Sequence, residues 1–201
     1  MKKRIAVLAS GRGSNFQAVI DAIRLGKVPA TCVALITDNP EAFAIERAKN
    51  AGIPVTVIDY SLYSSREMYE DALLTAMQKV NADLFVLAGY MRILGTSIVR
   101  LFSGKIMNIH PALLPSFTGL HAQRQALDYG VKISGCTVHF VDESLDCGPI
   151  ILQHCVAVRD GDDEDSLAER ILKHEHKCLP EAIRLFCEGR LVNNGRTVRI
   201  I

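Results

Sequence analysis

Asn108 and His110 stand two residues apart in the run Ile106-Met107-Asn108-Ile109-His110, and Pro111 and Pro115 bracket the Ala112-Leu113-Leu114 that follows. In an extended chain, residues two apart project to the same side. The amide and the imidazole therefore point together. An amide that donates to an oxygen, beside a group that holds or gives a proton, suits chemistry on a carbonyl carbon. The alternative is a strand ending in a proline-capped turn, its imidazole merely bonded to a neighbour. Asp146 lies in the polar loop Asp142-Glu143-Ser144-Leu145-Asp146-Cys147-Gly148. If that loop folds over the strand end, its carboxylate meets His110 and favours the charged imidazole. Such a group stabilises a developing oxyanion or moves a proton. The alternative for Asp146 is a solvated loop acid.

Two further clusters carry polar chemistry. Gly11-Arg12-Gly13-Ser14-Asn15 joins an apolar run to an amphipathic one. A glycine-rich loop at a helix start gathers free backbone amides around an anion, and Ser14 and Asn15 add side-chain donors. Phe16 replaces the last glycine of a dinucleotide fingerprint, and no Gly-Lys-Ser/Thr follows, so a small phosphate ester fits better than a nucleoside triphosphate. The alternative is a flexible turn with Asn15 as helix cap. Lys173-His174-Glu175-His176 puts two histidines on different faces of a helix, without the His-Glu-x-x-His spacing, so no metal site is expected. The residues alone favour Glu175 as an exposed helix acid over a polar contact to a substrate. There is no Gly-x-Ser-x-Gly nucleophile elbow, and Cys147 has no identifiable base beside it.

The elements that must position these groups follow from periodicity and turn chemistry. Strands are expected over 5–9, 32–36, 55–58, 84–88 and the run that carries Asn108. Helices are expected over 16–25, with Ala18, Val19, Ala22 and Ile23 on one side, over 42–50 with Gly52 as cap, and from the Ser64-Ser65-Arg66-Glu67 run that opens the third to about Val80. Ser64 and Glu67 are spaced for a capping box at the start of the third. A short helix is expected over 97–102. This alternation predicts a doubly wound, mainly parallel α/β sheet, whose ligands bind at the carboxyl ends of the strands. After Pro115 a helix is expected over 122–129, closed by Gly130. Antiparallel strands follow over 135–141 and 149–158. An acidic loop covers 159–165, and a helix over 166–188 is kinked at Pro180. Asn194-Gly195 reads as a hairpin turn.

The chain has 201 residues, 49% of them apolar, enough for one α/β domain over 1–201 with a sizeable core. Its 23 Lys and Arg against 22 Asp and Glu leave a formal charge of +1, which gives no support to a nucleic-acid or membrane surface. The apolar run after Lys2-Lys3-Arg4 is too short for a signal peptide or a membrane span. It reads as the first strand of a cytoplasmic protein. Six scattered cysteines without a Cys-x-x-Cys pair read as reduced thiols.

Taken together, Ser10-Gly11-Arg12-Gly13-Ser14-Asn15, residues 87–94 (LAGYMRIL), 108–115 (NIHPALLP), 135–141 (GCTVHFV) and 146–151 (DCGPII) make nearly the whole chain resemble the phosphoribosylglycinamide formyltransferases. The Asn-x-His-Pro-x-Leu-Leu-Pro run is shared by several enzymes that handle 10-formyltetrahydrofolate, and the Gly-Arg-Gly-Ser-Asn loop narrows the resemblance to this branch. The resemblance implies a Rossmann-like formyltransferase fold and formyl transfer from 10-formyltetrahydrofolate to the amine of glycinamide ribonucleotide, without a metal, in purine biosynthesis. It implies Asn108, His110 and Asp146 as the catalytic set. Gly13, Ser14 and Asn15 would hold the substrate phosphate, with Glu175 contacting the substrate. Arg66, Met91, Arg92, Ile93, Leu94, Asn108, Asp142, Glu143, Ser144, Leu145 and Asp146 would line the folate site.

Two departures from the family pattern stand out: Cys147 where a small Gly or Ala is usual, and the loop Ser116-Phe117-Thr118-Gly119. The partners implied are small molecules, with the chain a monomer or homodimer. A formyltetrahydrofolate hydrolase is the alternative, and it usually carries an extra N-terminal domain. A methionyl-tRNA formyltransferase would need a further C-terminal one, and a non-catalytic folate- or anion-binding module would not need the intact catalytic set. Met1 and the compact ends suggest a free enzyme rather than part of a multifunctional one.

Overall fold

The structure, a computed structural model, describes residues 2–201, so Met1 lies outside it. It forms two compact units divided between Met107 and Asn108. In the first, strands β1 (Lys3–Leu8), β2 (Ala30–Thr37), β3 (Val55–Val57) and β4 (Leu84–Leu87) pair in parallel in the order β3-β2-β1-β4. Helices α1 (Ser14–Arg24), α2 (Ala44–Ala51) and α3 (Arg66–Val80) connect them, and α4 (Thr96–Leu101) follows β4. Ile5 to Leu8 are wholly buried, as a strand covered on both faces must be, and this explains the unbroken apolar run. β1 has β2 on one side and β4 on the other. The chain therefore reverses its winding at the carboxyl end of β1, the place where doubly wound sheets bind ligands. The glycine loop leaves the strand at that point.

Local chemistry corrects three expectations here. α1 begins at Ser14 rather than 16, its N-cap is Gly13 with φ 66°, and its buried residues are Asn15, Phe16, Val19, Ile20 and Ala22. Asn15 is thus inside the helix and does not cap it. The cap of α3 is Ser65, whose Oγ accepts from the Met68 amide at 3.3 Å. The expected Ser64–Glu67 box is displaced because Ser65 takes the extended backbone that an N-cap needs. Gly52, at φ 66°, closes α2 as expected.

Strand β5 (Ile106–His110) runs across the division and delivers Asn108, Ile109 and His110 to the second unit. That unit contains α5 (Ala122–Tyr129), β6 (Ile133–Phe140), β7 (Ile150–Ala157), α6 (Glu164–Cys187), β8 (Leu191–Asn194) and β9 (Thr197–Ile200). β6 and β7 are antiparallel from Ile133↔Ala157 to Val138↔Leu152, and the register then shifts so that His139 faces Ile150. β9 joins β7 in parallel and pairs with β8 in a hairpin. The hairpin closes at Asn194↔Thr197, so its two-residue loop is Gly195-Arg196, one residue later than expected, with Gly195 at φ 64°.

Helix α6 packs on β6 and β7. Asp163 and Ser166 cap its start reciprocally, which sets it two residues before the expected one. Pro180 sits within it without dividing it. The six cysteines are free thiols, and no helix among the described residues is long and apolar enough to cross a membrane.

Candidate active site

The second unit gathers its polar groups around the end of β5. His110 is buried, with 5% of its surface exposed. Its Nδ1 lies 3.5 Å from Oδ2 of Asp146, and its Nε2 lies 2.8 Å from the carbonyl oxygen of Phe117. The same Oδ2 accepts from the amide of Gly119 at 2.8 Å. The loop carrying Asp146 therefore does fold onto His110, and the solvated-acid alternative falls: the Asp146 side chain is only 8% exposed. Asn108 shares the strand and directs Nδ2 to Nε2 of His139 at 3.1 Å. His139 Nε2 is in turn 3.7 Å from Oδ1 of Asp146. Burial holds the His139 imidazole below its ordinary value, against the opposing pull of the Phe140 carbonyl and of Asp146.

The backbone around these groups is fixed by side chains and by one glycine. Thr137 donates to the Ala112 carbonyl at 2.7 Å and accepts from the Leu114 amide at 3.0 Å, while Gln153 donates to the Leu114 carbonyl at 2.9 Å. This pins the Pro111–Pro115 turn, whose Leu114–Pro115 bond is cis. A side chain at Gly148 would meet the Phe140 carbonyl oxygen at 1.7 Å, so the loop closes against β6 only with glycine there. Within the loop, Asp142 accepts from the Ser144 amide at 3.0 Å, leaving Glu143, Ser144 and Leu145 exposed. Cys147 is exposed and its carbonyl accepts from Arg196.

Glu175 corrects the reading from residues alone. It is 6% exposed and lies on the buried side of α6 with Ile171, Cys178 and Leu179. A carboxylate on a largely apolar helix face is costly to bury unless it is bonded. His174, beside it, stacks on His154 with ring centroids 3.8 Å apart, and burial, His154 and Lys177 depress its imidazole.

In the first unit, Gly13 is buried at φ 66°, and Asn15 is 8% exposed. A Cβ on Gly13 would lie 2.8 Å from that of Ala44, so α1 and α2 approach closely only through glycine. The first-turn amides of α1 have no partner within the helix and the positive end of its dipole faces the loop, a setting for an anion. Arg47 donates to the Arg12 carbonyl at 2.8 Å and holds the loop's outer side.

Of the residues expected around a folate, Met91 and Ile93 are each 60% exposed, whereas Leu94 is buried. Arg92 faces Asp38 at 2.8 Å and lies over the Tyr60 ring at 3.9 Å. Arg66 pairs with Glu70 at 2.6 Å and donates to the Ile93 carbonyl at 3.3 Å, so it orders the 91–94 segment.

Three participants were not singled out from the residues: His139, and the backbone groups of Phe117 and Gly119. His139 had a signal, a titratable residue in an apolar strand two places after Thr137. A carbonyl or an amide leaves no mark in a sequence.

Residues 3–183 match the family model described as formyl transferase. Phosphoribosylglycinamide formyltransferase of Escherichia coli is 44% identical over 93% of this chain and 88% of that protein. The trifunctional purine biosynthetic protein adenosine-3 of Drosophila melanogaster is 47% identical over 94% of this chain. The chain spans only 14% of that protein's length. The crystal structure of glycinamide ribonucleotide transformylase 1 from Symbiobacterium toebii superposes with a TM-score of 0.96 at 50% identity, over 99% of this chain and 94% of that one. The fold is accordingly the mixed, mostly parallel sheet of those enzymes, with its antiparallel strands towards the C-terminus, and the chain belongs to the phosphoribosylglycinamide formyltransferase family.

Proposed function

We propose that this protein transfers the formyl group of 10-formyltetrahydrofolate to the amine of 5-phosphoribosylglycinamide, giving the N-formyl product and tetrahydrofolate in purine biosynthesis. One observation carries the reading: His110 has an acceptor opposite each ring nitrogen, the Asp146 carboxylate at 3.5 Å and the Phe117 carbonyl at 2.8 Å. Both are satisfied together only by a doubly protonated ring. A formyl oxygen that takes the place of the Phe117 carbonyl receives the Nε2 donor of such a ring.

The chemistry then proceeds from these residues. The lone pair of the amine attacks the formyl carbon, and the carbonyl electron pair moves onto oxygen. His110 Nε2 and the amide of Asn108 donate to that oxygen as its charge develops. Collapse of the adduct breaks the bond from carbon to N10 of the folate. The proton shed by the amine balances the one N10 gains, and Asp146 is the base placed to relay it, directly or through a water. Removing one such oxyanion donor costs about 3–4 kcal/mol, on the order of a hundred- to a thousandfold in rate.

In this reading Gly13, Ser14, Asn15 and the first amides of α1 take the substrate phosphate, and Glu175 takes a polar group of the same substrate. Arg66, Met91, Arg92, Ile93, Leu94 and the 142–146 loop serve the folate. In the first unit, the exposed apolar side chains of Met91 and Ile93 suit a flat, partly apolar ring system.

The competing reading is a formyltetrahydrofolate hydrolase, which delivers the formyl group to water. Purified protein is given 10-formyltetrahydrofolate with and without glycinamide ribonucleotide. Tetrahydrofolate release that requires the ribonucleotide supports transfer. Equal release without it assigns the hydrolase, and no release in either case leaves a binding module.

A further inference from the structure

We propose that His139 is a positioning residue: a neutral imidazole, locked in one tautomer, that fixes the orientation of the Asn108 amide and leaves Asp146 free to serve His110. Its kinetic consequence rests on the formyl-transfer reading above. The lock itself does not.

The argument starts from the tautomer. Nδ1 of His139 lies 2.8 Å from the carbonyl oxygen of Phe140. A carbonyl only accepts, so Nδ1 carries the proton. In the neutral ring Nε2 is then a bare lone pair, and it accepts from Nδ2 of Asn108 at 3.1 Å. That acceptor selects one of the two orientations of the amide, which exchange a donor for an acceptor at the position facing the reacting oxygen. The backbone reinforces the arrangement. The register of β6 against β7 shifts between Val138 and His139, and such irregularities re-aim the side chain that follows.

Asp146 shows why the ring has to stay neutral. Its Oδ1 lies 3.7 Å from Nε2 of His139, while its Oδ2 faces His110. With Nε2 unprotonated, two acceptors face each other and the carboxylate gains nothing by turning to His139. A proton on Nε2 would reverse both contacts. It would donate to Asp146 and draw the carboxylate from His110, and it would repel the Asn108 donor. The titratable groups that face His139 are Asp146, His110 and Asp142, and burial outweighs the two acids in setting its charge. His139 is 2% exposed, so water does not compete for either nitrogen.

The test has two arms. Long-range 1H–15N correlation spectra of the intact protein at neutral pH read the tautomer directly. A neutral ring with the proton on Nδ1 supports the lock, and a proton on Nε2 or a charged ring overturns it. In the second arm, His139→Leu removes the acceptor, and His139→Gln places a carbonyl oxygen near the position of Nε2 that cannot titrate. His139→Leu is expected to lower kcat about ten- to a hundredfold, the scale of a misplaced catalytic group, with the KM for the ribonucleotide unchanged. His139→Gln is expected to recover most of that loss and to flatten the acidic limb of the kcat profile. Equal loss in both variants overturns the proposal. A wild-type protein without ribonucleotide-dependent turnover overturns formyl transfer instead, and the spectra still decide the tautomer.

Discussion

Asp146 presents its carboxylate 3.5 Å from Nδ1 of His110 while its own backbone sits in the left-handed region, at φ 52°. The position thus makes two demands on one residue: a charge aimed at the imidazole, and a short polar side chain that tolerates this backbone. Asn meets the second demand and fails the first, so substitution separates them.

Asp146→Asn is expected to keep the thermal midpoint close to that of the wild type while kcat falls on the order of a hundred- to a thousandfold. Asp146→Ala is expected to lose as much activity and to be less stable by about 1–3 kcal/mol, because alanine lacks the local bonds that ease a left-handed residue. Steady-state kinetics and urea unfolding on the pair check both. An Asn variant with near-normal kcat would remove the carboxylate from the mechanism.

Gly13 and Gly11 form a second contrast. Ala at 13 must adopt φ 66° and bring its Cβ to 2.8 Å from that of Ala44, while Ala at 11 meets nothing within 4 Å. Gly13→Ala is expected to cost about 1–3 kcal/mol of stability and to raise the KM for the ribonucleotide, since α1 and α2 must part to admit the methyl. Gly11→Ala is expected to stay within about 0.5 kcal/mol of the wild type. Equal behaviour in denaturant would mean that the close approach of the two helices is not what requires glycine.

Some of this was legible in the sequence and some was not, and the division is physical. The helix Ala122–Tyr129 follows its expected bounds, set by a glycine with positive φ just past its end, and the strand Ile106–His110 lies within the run read as extended. The start of α1 was misplaced because Ser14 and Asn15 favour turns in isolation, and only the packing of Phe16 and Val19 makes them helical. Glu175 was misread from composition because burial is a property of the assembled fold. The meeting of Asp146 with His110 could be stated only as a condition, since it joins segments 36 positions apart. Phe117 and Gly119 act through backbone atoms, which every residue has.

Thr137 shows how a buried hydroxyl holds the turn that follows β5. It donates to Ala112 at 2.7 Å and accepts from Leu114 at 3.0 Å and from Gln153 at 3.0 Å. Thr137→Val keeps the shape and leaves the Leu114 amide without its acceptor in a buried place. The expected cost is about 1–3 kcal/mol, that of an unsatisfied buried donor. Urea midpoints measure it, and a loss below about 0.5 kcal/mol, the range of neutral surface changes, would mean that the turn is held by its prolines alone.

Asp162 provides a pH signature away from the site. Its two oxygens accept from both terminal nitrogens of Arg170 at 2.7 Å, and the Arg159 amide donates to the same carboxylate at 2.7 Å. Arg170 also donates to the Ala157 carbonyl at 2.9 Å, so one pair joins the end of β7 to the first turns of α6. These bonds, Arg170 foremost, hold the carboxyl well below its ordinary value of 3.8. A group depressed in the folded state binds its proton more readily when unfolded, so its stabilisation is complete above that ordinary value. It drains away as pH falls through the lower folded one. Melting curves of the wild type between neutrality and strong acid are therefore expected to include a loss that Asp162→Asn lacks. The variant is expected to melt lower at neutral pH and to converge on the wild type in acid. Parallel curves at all pH values would show that the ion pair does not tie α6 to the sheet.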